Sequence, residues 1–299
     1  MTRTPGLRKP PWLKVRLPAG SDAVRTATVL RSLRLRTVCR EARCPNTGEC
    51  WAAGTATIMI LGDRCTRACR FCAVETHALP PPPDPDEPRR VAEGVAALGL
   101  RYAVITSVTR DDLPDGGAGC FAETLRELRR RSPATQVELL IPDFGGDTGA
   151  LEVVAGAAPD VVGHNLETAR RLSSAIRDPR TDYDRSLRVL EYLGGRGLET
   201  KSALLLGLGE TPGEVEEALR DLRRVGVLHV AMGQYLAPTA GHVPVAEYVT
   251  PEAFDAWAAR ARALGFHSVA AGPRVRSSYL AGEVTGPAIR PWAPASRAS

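Results

Sequence analysis

Short apolar runs alternate with amphipathic segments of helical length through the middle of this chain, and this alternation limits its possible folds more than any other feature. Each run is rich in leucine or β-branched residues, is too short for a helix, and is followed by a turn. Such a rhythm is typical of parallel strands joined by helices. Strands are predicted at 57–61, 102–107, 137–141, 160–164, 202–206 and 227–232.

The intervening segments predict helices near 88–98, 121–131, 148–157, 166–174, 183–193 and 211–225. In the last of them, Pro212 lies just inside the start and Gly226 just past the end, positions that suit helix initiation and termination. Six such units are fewer than the eight of a closed barrel. We therefore expect an α/β protein, a partial (β/α)6 TIM-like barrel whose open side is covered by N-terminal and C-terminal extensions.

Three regions follow from this pattern. Residues 1–50 form an N-terminal extension with a cysteine motif, residues 51–250 form the partial barrel, and residues 251–299 form a C-terminal helix and a tail with an Arg-Ser-Ser-Tyr motif at 276–279. With 299 residues and 43% hydrophobic content, the chain is long enough to bury one large core.

Six of the seven cysteines fall between residues 39 and 72, in two triplets of different spacing. The triplets are Cys39-x4-Cys44-x5-Cys50 and Cys65-x3-Cys69-x2-Cys72. Six cysteines so close together indicate shared ligation rather than six independent packing roles. A [4Fe-4S] cluster needs a terminal ligand on each iron, so three thiolates leave one iron open to a substrate or cofactor. The sequence thus predicts two iron–sulfur clusters.

Zinc and disulfides are the alternatives for these cysteines. Structural zinc sites usually have four ligands built from paired Cys-x2-Cys or His units, which neither triplet supplies. Disulfides are disfavoured because the cysteine count is odd and nothing marks the chain for an oxidising compartment. The seventh cysteine, Cys120, follows a glycine-rich turn and is most simply a small buried hydrophobe.

Charge and hydropathy indicate which partners and which cell compartment to expect. The net charge of +5 is concentrated in a basic N-terminal arm, which suits an acidic macromolecular partner or is ordinary solvated surface. Only 5% of residues are aromatic and no RNA-stacking motif is present, so we expect no nucleic-acid partner. The chain has neither a secretory apolar segment nor a membrane-spanning run, so we expect a cytoplasmic protein without a membrane partner.

The second triplet lies just after the first predicted strand, at the end where barrels of this kind hold their active sites. Its spacing, with Phe71 before the last cysteine, resembles the signature of the radical S-adenosylmethionine superfamily. The resemblance implies that Cys65, Cys69 and Cys72 hold a [4Fe-4S] cluster whose open iron binds S-adenosylmethionine. Reductive cleavage of that cofactor then yields a deoxyadenosyl radical able to remove hydrogen from an unactivated carbon, which a side-chain base does not do.

Segments beyond this loop narrow the resemblance to the lipoyl synthase family. They are residues 38–51, 62–72, 106–117, 233–236 and 272–279, so the similarity runs from about Lys9 to Ala281. The first cysteine triplet combined with the Arg-Ser-Ser-Tyr motif is the most specific part. Gly163, where the family often has a polar residue, is a departure, and the tail from Gly286 has no counterpart.

This resemblance implies insertion of two sulfur atoms, at C6 and C8, into an octanoyl chain on the lipoyl domains of lipoate-dependent enzymes. Cys39, Cys44 and Cys50 would hold the auxiliary [4Fe-4S] cluster that donates sulfur, with Ser278 as its fourth ligand. The implied partners are the octanoylated lipoyl domains of 2-oxoacid dehydrogenase complexes and the glycine cleavage H protein, an electron donor such as ferredoxin or flavodoxin, and an iron–sulfur carrier. The alternatives are a sulfur-inserting paralogue with another acceptor and a non-catalytic iron–sulfur scaffold.

Six further positions are predicted to contact S-adenosylmethionine. They are Phe71, Ser107, Asn165, Glu167, Gly207 and Gly209. Each of the last four also has a plainer interpretation, because Asn165 and Glu167 could begin a helix and the glycine pair could form a tight turn. Aspartates 111, 112 and 115 resemble the segment that meets the cofactor's amino group, or belong to a turn that favours aspartate for backbone reasons.

Overall fold

The computed structural model describes residues 8–14, 21–41, 44, 46–47, 50, 57–279 and 281–284. Parts of the basic N-terminal arm, parts of the 38–51 motif and the tail from residue 285 lie outside the described residues. In the described part, no helix is both long enough and apolar enough to cross a membrane. The cytoplasmic location and the three-part division at residues 50 and 250 stay predictions.

Seven consecutive parallel strands form the main sheet, with a short antiparallel strand at one edge. The strands among the described residues are β1 (Arg36–Thr37), β2 (Thr57–Ile60), β3 (Arg64–Cys65), β4 (Glu75–Thr76), β5 (Tyr102–Ser107), β6 (Gln136–Leu140), β7 (Val161–Gly163), β8 (Thr200–Leu206), β9 (His229–Gln234) and β10 (Ser268–Gly272). The sheet order is β1-β2-β5-β6-β7-β8-β9-β10, and β3 pairs with β4 separately. Among the described strands of the main sheet, β1 alone runs antiparallel to its neighbour.

Helices connect successive parallel strands, as the alternating pattern predicts. Those described are α1 (Ser21–Ser32), α2 (Val38–Glu41), α3 (Glu87–Leu98), α4 (Ala118–Arg131), α5 (Thr148–Gly156), α6 (Arg170–Ile176), α7 (Tyr183–Gly195), α8 (Pro212–Arg224), α9 (Pro251–Ala263) and α10 (Ala281–Val284). Because strand order in space follows strand order in the chain, each helix packs back over the sheet beside its own strands. The predicted α/β class with a mainly parallel sheet is confirmed.

Helix α8 shows how local sequence sets an element's bounds. The Thr211 side chain accepts from the Glu214 backbone N–H, and the Glu214 side chain accepts from the Thr211 N–H, which forms a capping box. Pro212 occupies the first helical position, where no backbone N–H is needed. Gly226 follows the helix with φ of 86°, a left-handed conformation that glycine adopts without strain. Both predicted signals are confirmed.

Two elements differ from the sequence predictions. β10 is a seventh parallel strand, within a region predicted as helix and tail. Its Ser-Val-Ala-Ala-Gly sequence is short and is only partly buried at the sheet edge, so it lacks the strong apolar signal of the other strands. Helix α6 begins at Arg170 rather than at residue 166, because Glu167 has φ of 70° and forms a bridge with Leu204 of β8.

The tail that follows β10 returns across the sheet instead of leaving it. Val275 packs against Ala203 of β8 and Ala231 of β9. Farther along, Ala281 is 1% exposed and belongs to a small core cluster with Tyr102 of β5. The tail therefore runs from the carboxyl end of β10 across the sheet to Tyr102, the first residue of β5.

Candidate active site

A cavity of about 510 Å³ lies against the parallel strands, and both cysteine triplets reach it. Its wall includes Cys39 and Cys44 from the first triplet, all three cysteines of the second triplet, and Ser278 of the tail. The sheet therefore brings together six of the seven predicted cluster ligands in one wall. The seventh, Cys50, is buried and is not part of the wall.

The loop with the second triplet is closed at its base and tied to the barrel. Strand β3, which contains Cys65, pairs with β4 and so brings the two ends of the loop together. Within the loop, Thr66 donates its backbone N–H to Thr109 O at 2.9 Å, and Arg70 donates its own to Ile176 O at 2.8 Å. Thr109 lies in the loop after β5, and Ile176 is the last residue of α6. The cysteines are thus carried on a short segment with little freedom.

Backbone N–H groups point at two of the loop's sulfur atoms. The N–H groups of Arg67 and Thr109 both donate to Cys65 Sγ at 3.4 Å, and the N–H of Asp178 donates to Cys69 Sγ at 3.3 Å. Such bonds stabilise negative charge on sulfur and help to set the reduction potential of an iron–sulfur cluster. The donor set of three thiols with N–H groups facing the sulfurs fits a [4Fe-4S] cluster.

Burial favours the neutral form of two of these thiols, Cys69 and Cys72. Burial raises the pKa of Cys69, and it raises the pKa of Cys72 to about 12, with the charges of Cys69 and Cys65 adding to the effect. A bound metal deprotonates such a thiol outright. In the described part of the chain, no three Cys, His, Asp or Glu side chains converge on one metal ion; the thiolates of a cluster bind separate irons.

A buried arginine in the loop of the second triplet binds two aspartates that follow neighbouring strands. Arg67 donates from Nε to Asp111 Oδ2 at 2.9 Å, and its Nη2 lies 2.7 Å from Oδ1 of both Asp111 and Asp143. Burial opposes ionisation of Asp143, but the Arg67 guanidinium outweighs it and brings the pKa of Asp143 to about 2. Because two carboxylates share one cation, the loop is locked to the ends of β5 and β6.

The aspartates after β5 are engaged in contacts within the protein. Asp111 binds Arg67 and the Thr66 hydroxyl group, and Asp112 binds Arg110 through two hydrogen bonds. Asp115 accepts from the backbone N–H groups that begin α4. These contacts agree with the interpretation of this segment as a turn that favours aspartate.

The first triplet is joined to the tail. The Thr47 hydroxyl group donates to the carbonyl oxygens of Cys39 and Cys44, at 2.9 and 2.8 Å. Next to it, Asn46 Nδ2 donates to Arg274 O at 2.5 Å. These bonds connect residues 39–47 to the segment that carries Ser278, although the two are more than 200 residues apart in sequence.

Two serines of the tail bind opposite sides of the cavity. Ser277 Oγ donates to Asn165 Oδ1 at 3.1 Å, beyond the end of β7. Thr57 Oγ1 of β2 donates to Ser278 Oγ at 2.7 Å. Burial lowers the pKa of Arg276, and an interaction with the nearby Cys44 opposes that shift. The tail therefore closes one side of the cavity.

Four of the six predicted cofactor contacts line this cavity: Phe71, Ser107, Asn165 and Glu167. The hydroxyl oxygen of Ser107 is buried and has no hydrogen-bond partner among the described residues. Burial raises the pKa of Glu167, and the nearby Arg177 opposes that shift. A buried hydroxyl without a partner and a carboxylate beside a cation can both meet polar groups of a ligand.

Gly207 and Gly209 lie outside the cavity wall. They belong to a turn with positive φ angles of 93° and 103°, and the Glu210 carboxylate accepts from the N–H groups of Gly207 and Leu208 at 2.5 and 2.9 Å. Their assignment as cofactor contacts stays a prediction.

Sequence reasoning missed several polar residues of the wall. His164 accepts or donates at both ring nitrogens, to Ile141 O at 2.9 Å and Ser186 Oγ at 3.0 Å. Burial, and then the Arg177 cation, lower the pKa of His164 to about 4, so the ring is neutral at pH 7. Its place at the carboxyl end of the predicted strand 160–164 was the available signal. Arg67 and Thr57 carried no comparable signal.

Family models match the chain in two places. The model for the radical SAM superfamily matches residues 59–222, and the model for the N-terminal domain of lipoyl synthase matches residues 1–44. A lipoyl synthase of Anaeromyxobacter sp. (strain Fw109-5) is 53% identical, over 93% of this chain and 95% of its own. A lipoyl synthase of Thermus thermophilus is 54% identical, over 92% of this chain and 86% of its own. The chain belongs to the lipoyl synthase family.

Solved structures agree on the fold. The FeFe-hydrogenase maturase HydG from Carboxydothermus hydrogenoformans matches with a TM-score of 0.57 and 14% identity, over 71% of this chain and 52% of its own. Streptococcus suis SuiB bound to S-adenosylmethionine matches with a TM-score of 0.51 and 11% identity, over 73% of this chain and 49% of its own. The expected partial barrel of the radical SAM superfamily is thereby confirmed for this member of the lipoyl synthase family.

Membership of the lipoyl synthase family makes this chain a radical S-adenosylmethionine enzyme that inserts sulfur. Its cofactors include a [4Fe-4S] cluster and S-adenosylmethionine, and its substrates are proteins with lipoyl domains. The resemblance inferred from the cysteine triplets and the Arg-Ser-Ser-Tyr motif is confirmed.

Proposed function

We propose that this enzyme inserts two sulfur atoms, at C6 and C8, into the octanoyl chain of a lipoyl domain, with a second, auxiliary cluster as the sulfur donor. The observation that carries the proposal is the cavity whose single wall contains cysteines of both triplets and Ser278. A substrate chain in this space would face the radical source on one side and the sulfur source on the other.

Cys65, Cys69 and Cys72 hold the radical-generating [4Fe-4S] cluster. When bound there, the cluster and S-adenosylmethionine together supply a radical that can remove hydrogen from an unactivated carbon. The chain's own residues orient the cofactor and exclude water. Phe71, Ser107, Asn165 and Glu167 support this assignment because they line the same cavity as the three thiols.

Cys39, Cys44, Cys50 and Ser278 hold the auxiliary [4Fe-4S] cluster, which supplies sulfur when bound. The bonds of Thr47 to Cys39 and Cys44, and of Asn46 to the tail, support this ligand set because they keep the serine segment beside the first triplet. An oxygen ligand is harder than a thiolate and suits iron less well in a cluster otherwise held by sulfur. Ser278 is therefore the ligand most easily displaced when sulfur leaves.

Apolar side chains provide a place for the octanoyl chain. Met59, Val108, Leu140 and Ile141 stand in the cavity wall between the polar ends of the strands. An alkyl chain gains about 0.8 kcal/mol for each buried CH2 group, so this surface binds the substrate and displaces water from the reacting carbons.

The proposed partners are octanoylated lipoyl domains of 2-oxoacid dehydrogenase complexes and the glycine cleavage H protein. Lys9 of the basic N-terminal arm lies in the cavity wall, which supports an acidic protein as the acyl carrier. A ferredoxin or flavodoxin supplies electrons, and an iron–sulfur carrier rebuilds the spent auxiliary cluster.

Intact mass spectrometry of an octanoylated lipoyl domain tests the proposal. The domain is incubated anaerobically with reconstituted enzyme, S-adenosylmethionine and a strong reductant, and deoxyadenosine is measured in parallel. We expect a gain of two sulfur atoms. Cys69→Ala should abolish deoxyadenosine, whereas Cys44→Ala and Ser278→Ala should keep cofactor cleavage but lose or impair sulfur insertion.

Cys120→Ala is the matched control, because this partly buried cysteine does not line the cavity and should be dispensable for both signals. Full sulfur insertion by Cys44→Ala would exclude the donor cluster. Deoxyadenosine without sulfur gain in the wild type would indicate a radical enzyme with another acceptor. Neither signal from a protein loaded with two clusters would indicate a scaffold.

A further inference from the structure

The side chain of Thr57 forms a hydrogen bond with Ser278, the proposed serine ligand. Its Oγ1 donates to Ser278 Oγ at 2.7 Å across 221 residues of sequence. Both residues line the cavity that also contains Cys39 and Cys44. Thr57 is 5% exposed and no cluster motif includes it.

The two partners differ in how firmly they are held. Thr57 is on β2, which is paired with β1 on one side and β5 on the other, so its backbone is part of the sheet. Its β-branched side chain also has few rotamers available. Ser278 is in the tail, and a serine side chain can take three staggered rotamers. The rigid threonine therefore selects the orientation of the serine.

The rest of the tail is positioned independently of this bond. Asn46 binds the Arg274 carbonyl oxygen, and Asn165 binds the Ser277 hydroxyl group. These contacts place the backbone of the tail but leave the Ser278 hydroxyl free to rotate. A hydroxyl oxygen has two lone pairs, so Ser278 Oγ can accept from Thr57 and still present a lone pair to iron.

We propose that Thr57 is a positioning residue for the auxiliary cluster: its hydroxyl group holds Ser278 Oγ in the orientation that completes the ligand set of Cys39, Cys44 and Cys50. This inference rests on the proposed role of Ser278. Loss of the bond leaves the serine present but wrongly oriented, so the cluster loses its fourth ligand more easily.

Iron loss from the auxiliary cluster tests this role without measuring turnover. The full chain with all three cysteines of the second triplet replaced by alanine is reconstituted anaerobically, so that only the auxiliary cluster contributes iron. The rate of iron release to a chelator is then compared for Thr57→Val, Thr57→Ser, Ser278→Ala and the double variant Thr57→Val with Ser278→Ala. Mössbauer spectra of the same samples report the fraction of iron with an oxygen ligand.

Thr57→Val should raise the rate of iron release roughly fivefold, the effect of about one hydrogen bond, and lower the oxygen-ligated fraction. Thr57→Ser keeps the hydroxyl group and should stay within about twofold of the unaltered protein. In the Ser278→Ala background, Thr57→Val should add nothing, because the oxygen it positions is absent.

Thr135→Val is a matched control for the loss of a buried threonine hydroxyl group. Thr135 is also 5% exposed and donates to Leu100 O at 2.8 Å, but it lies outside the cavity. The rate of iron release from the Thr135→Val variant should equal that of the unaltered protein. Comparing the thermal unfolding of this variant with that of Thr57→Val separates a specific effect from general destabilisation.

Normal iron release by Thr57→Val, or an equal increase in the Ser278→Ala background, would overturn the role of Thr57 while leaving Ser278 as a ligand. If Ser278→Ala itself released iron at the normal rate, the proposed ligand set would be wrong and the inference about Thr57 would fail with it.

Discussion

Gly233 of β9 lies directly against the carbonyl oxygen of Val275, so closely that a Cβ atom at position 233 would overlap that oxygen. Ala203 and Ala231 make the neighbouring strand surface equally shallow, and Val275 packs on both. Small residues on β8 and β9 thus allow the tail to cross the sheet at backbone contact distance.

Gly233→Ala should therefore displace the tail from the cavity. Backbone atoms cannot move aside as a flexible side chain can, so we expect a destabilisation of about 1–3 kcal/mol and at least a tenfold loss of sulfur insertion. Deoxyadenosine formation should persist, because the second triplet does not depend on the tail. Mass spectrometry and deoxyadenosine assays measure the two outcomes separately.

Gly195→Ala is the control for this variant, since a Cβ atom at position 195 meets nothing within 4 Å. Its activity should match the wild type. Unchanged sulfur insertion by Gly233→Ala would show that the close contact has no role in holding the tail.

Arg67→Met should destabilise the loop of the second triplet. The variant keeps most of the side-chain volume but leaves the buried carboxylate of Asp143 and that of Asp111 without their shared cation. Removing one partner of a buried ion pair typically costs about 3–5 kcal/mol, and we expect a loss at the lower end because Arg185 still pairs with Asp143 at 3.0 Å. Chemical unfolding and iron content after reconstitution measure the effect. Arg126→Met, which removes an exposed pair with Glu123, should change neither by a comparable amount.

Ser107→Ala should have opposite effects on stability and on cofactor binding. The Ser107 hydroxyl oxygen is buried without a partner in the described part of the chain, so its removal should leave the free energy of unfolding unchanged or higher. If the hydroxyl meets S-adenosylmethionine, its loss should raise the KM for the cofactor roughly tenfold. Steady-state deoxyadenosine formation gives the KM.

Thr168→Val provides the comparison, because its hydroxyl oxygen is also buried without a described partner but lies outside the cavity wall. It should leave the KM unchanged. Equal KM values for Ser107→Ala and the wild type would remove Ser107 from the set of cofactor contacts.

Acid should destabilise the fold through His164. Its pKa is about 4 in the folded protein against about 6.5 in an unfolded chain, so the unfolded chain binds the extra proton first. The stability contributed by the neutral ring is present above pH 6.5 and is lost as the pH falls towards 4, by about 3 kcal/mol in total. Urea unfolding at several pH values measures this loss.

His164→Asn isolates the histidine from other groups that titrate nearby. Asn keeps a donor for Ile141 O but has no proton to gain in this range. The difference in unfolding free energy between wild type and variant should therefore shrink from pH 7 to pH 4. A constant difference would mean that the ring is charged in the folded protein or is not titrating in this range.

Much of the fold was predictable because local patterns and tertiary structure agree. The six predicted strands lie within a few residues of the observed ones, and Pro212 and Gly226 correctly mark the bounds of α8. The start of α6 was not predictable, since a left-handed Glu167 is held by a bridge to β8 that no local pattern shows. The edge strand β10 was missed because small residues give no strand signal.

In the site, the cysteines were found because metal ligation imposes a spacing on the sequence. The residues that hold the site together act through contacts distant in sequence, as Arg67 does with Asp143 and Thr57 with Ser278. Arginine and threonine are also common on surfaces and strands, so their identity alone carries little information. Contacts in the folded protein are therefore needed to distinguish Arg67 and Thr57 from other arginines and threonines of the chain.

Ser278 lies 221 positions after Thr57, so the two residues are made at different stages of synthesis. The ribosome produces the first triplet near the beginning of synthesis and the serine only after every strand of the sheet has been translated. Synthesis runs from the N-terminus, so the loop of the second triplet and its anchors at Thr109 and Ile176 are all made before the tail. If Ser278 completes the proposed auxiliary site, its three cysteines are made long before their fourth ligand, and a chain that ends before residue 278 lacks that ligand.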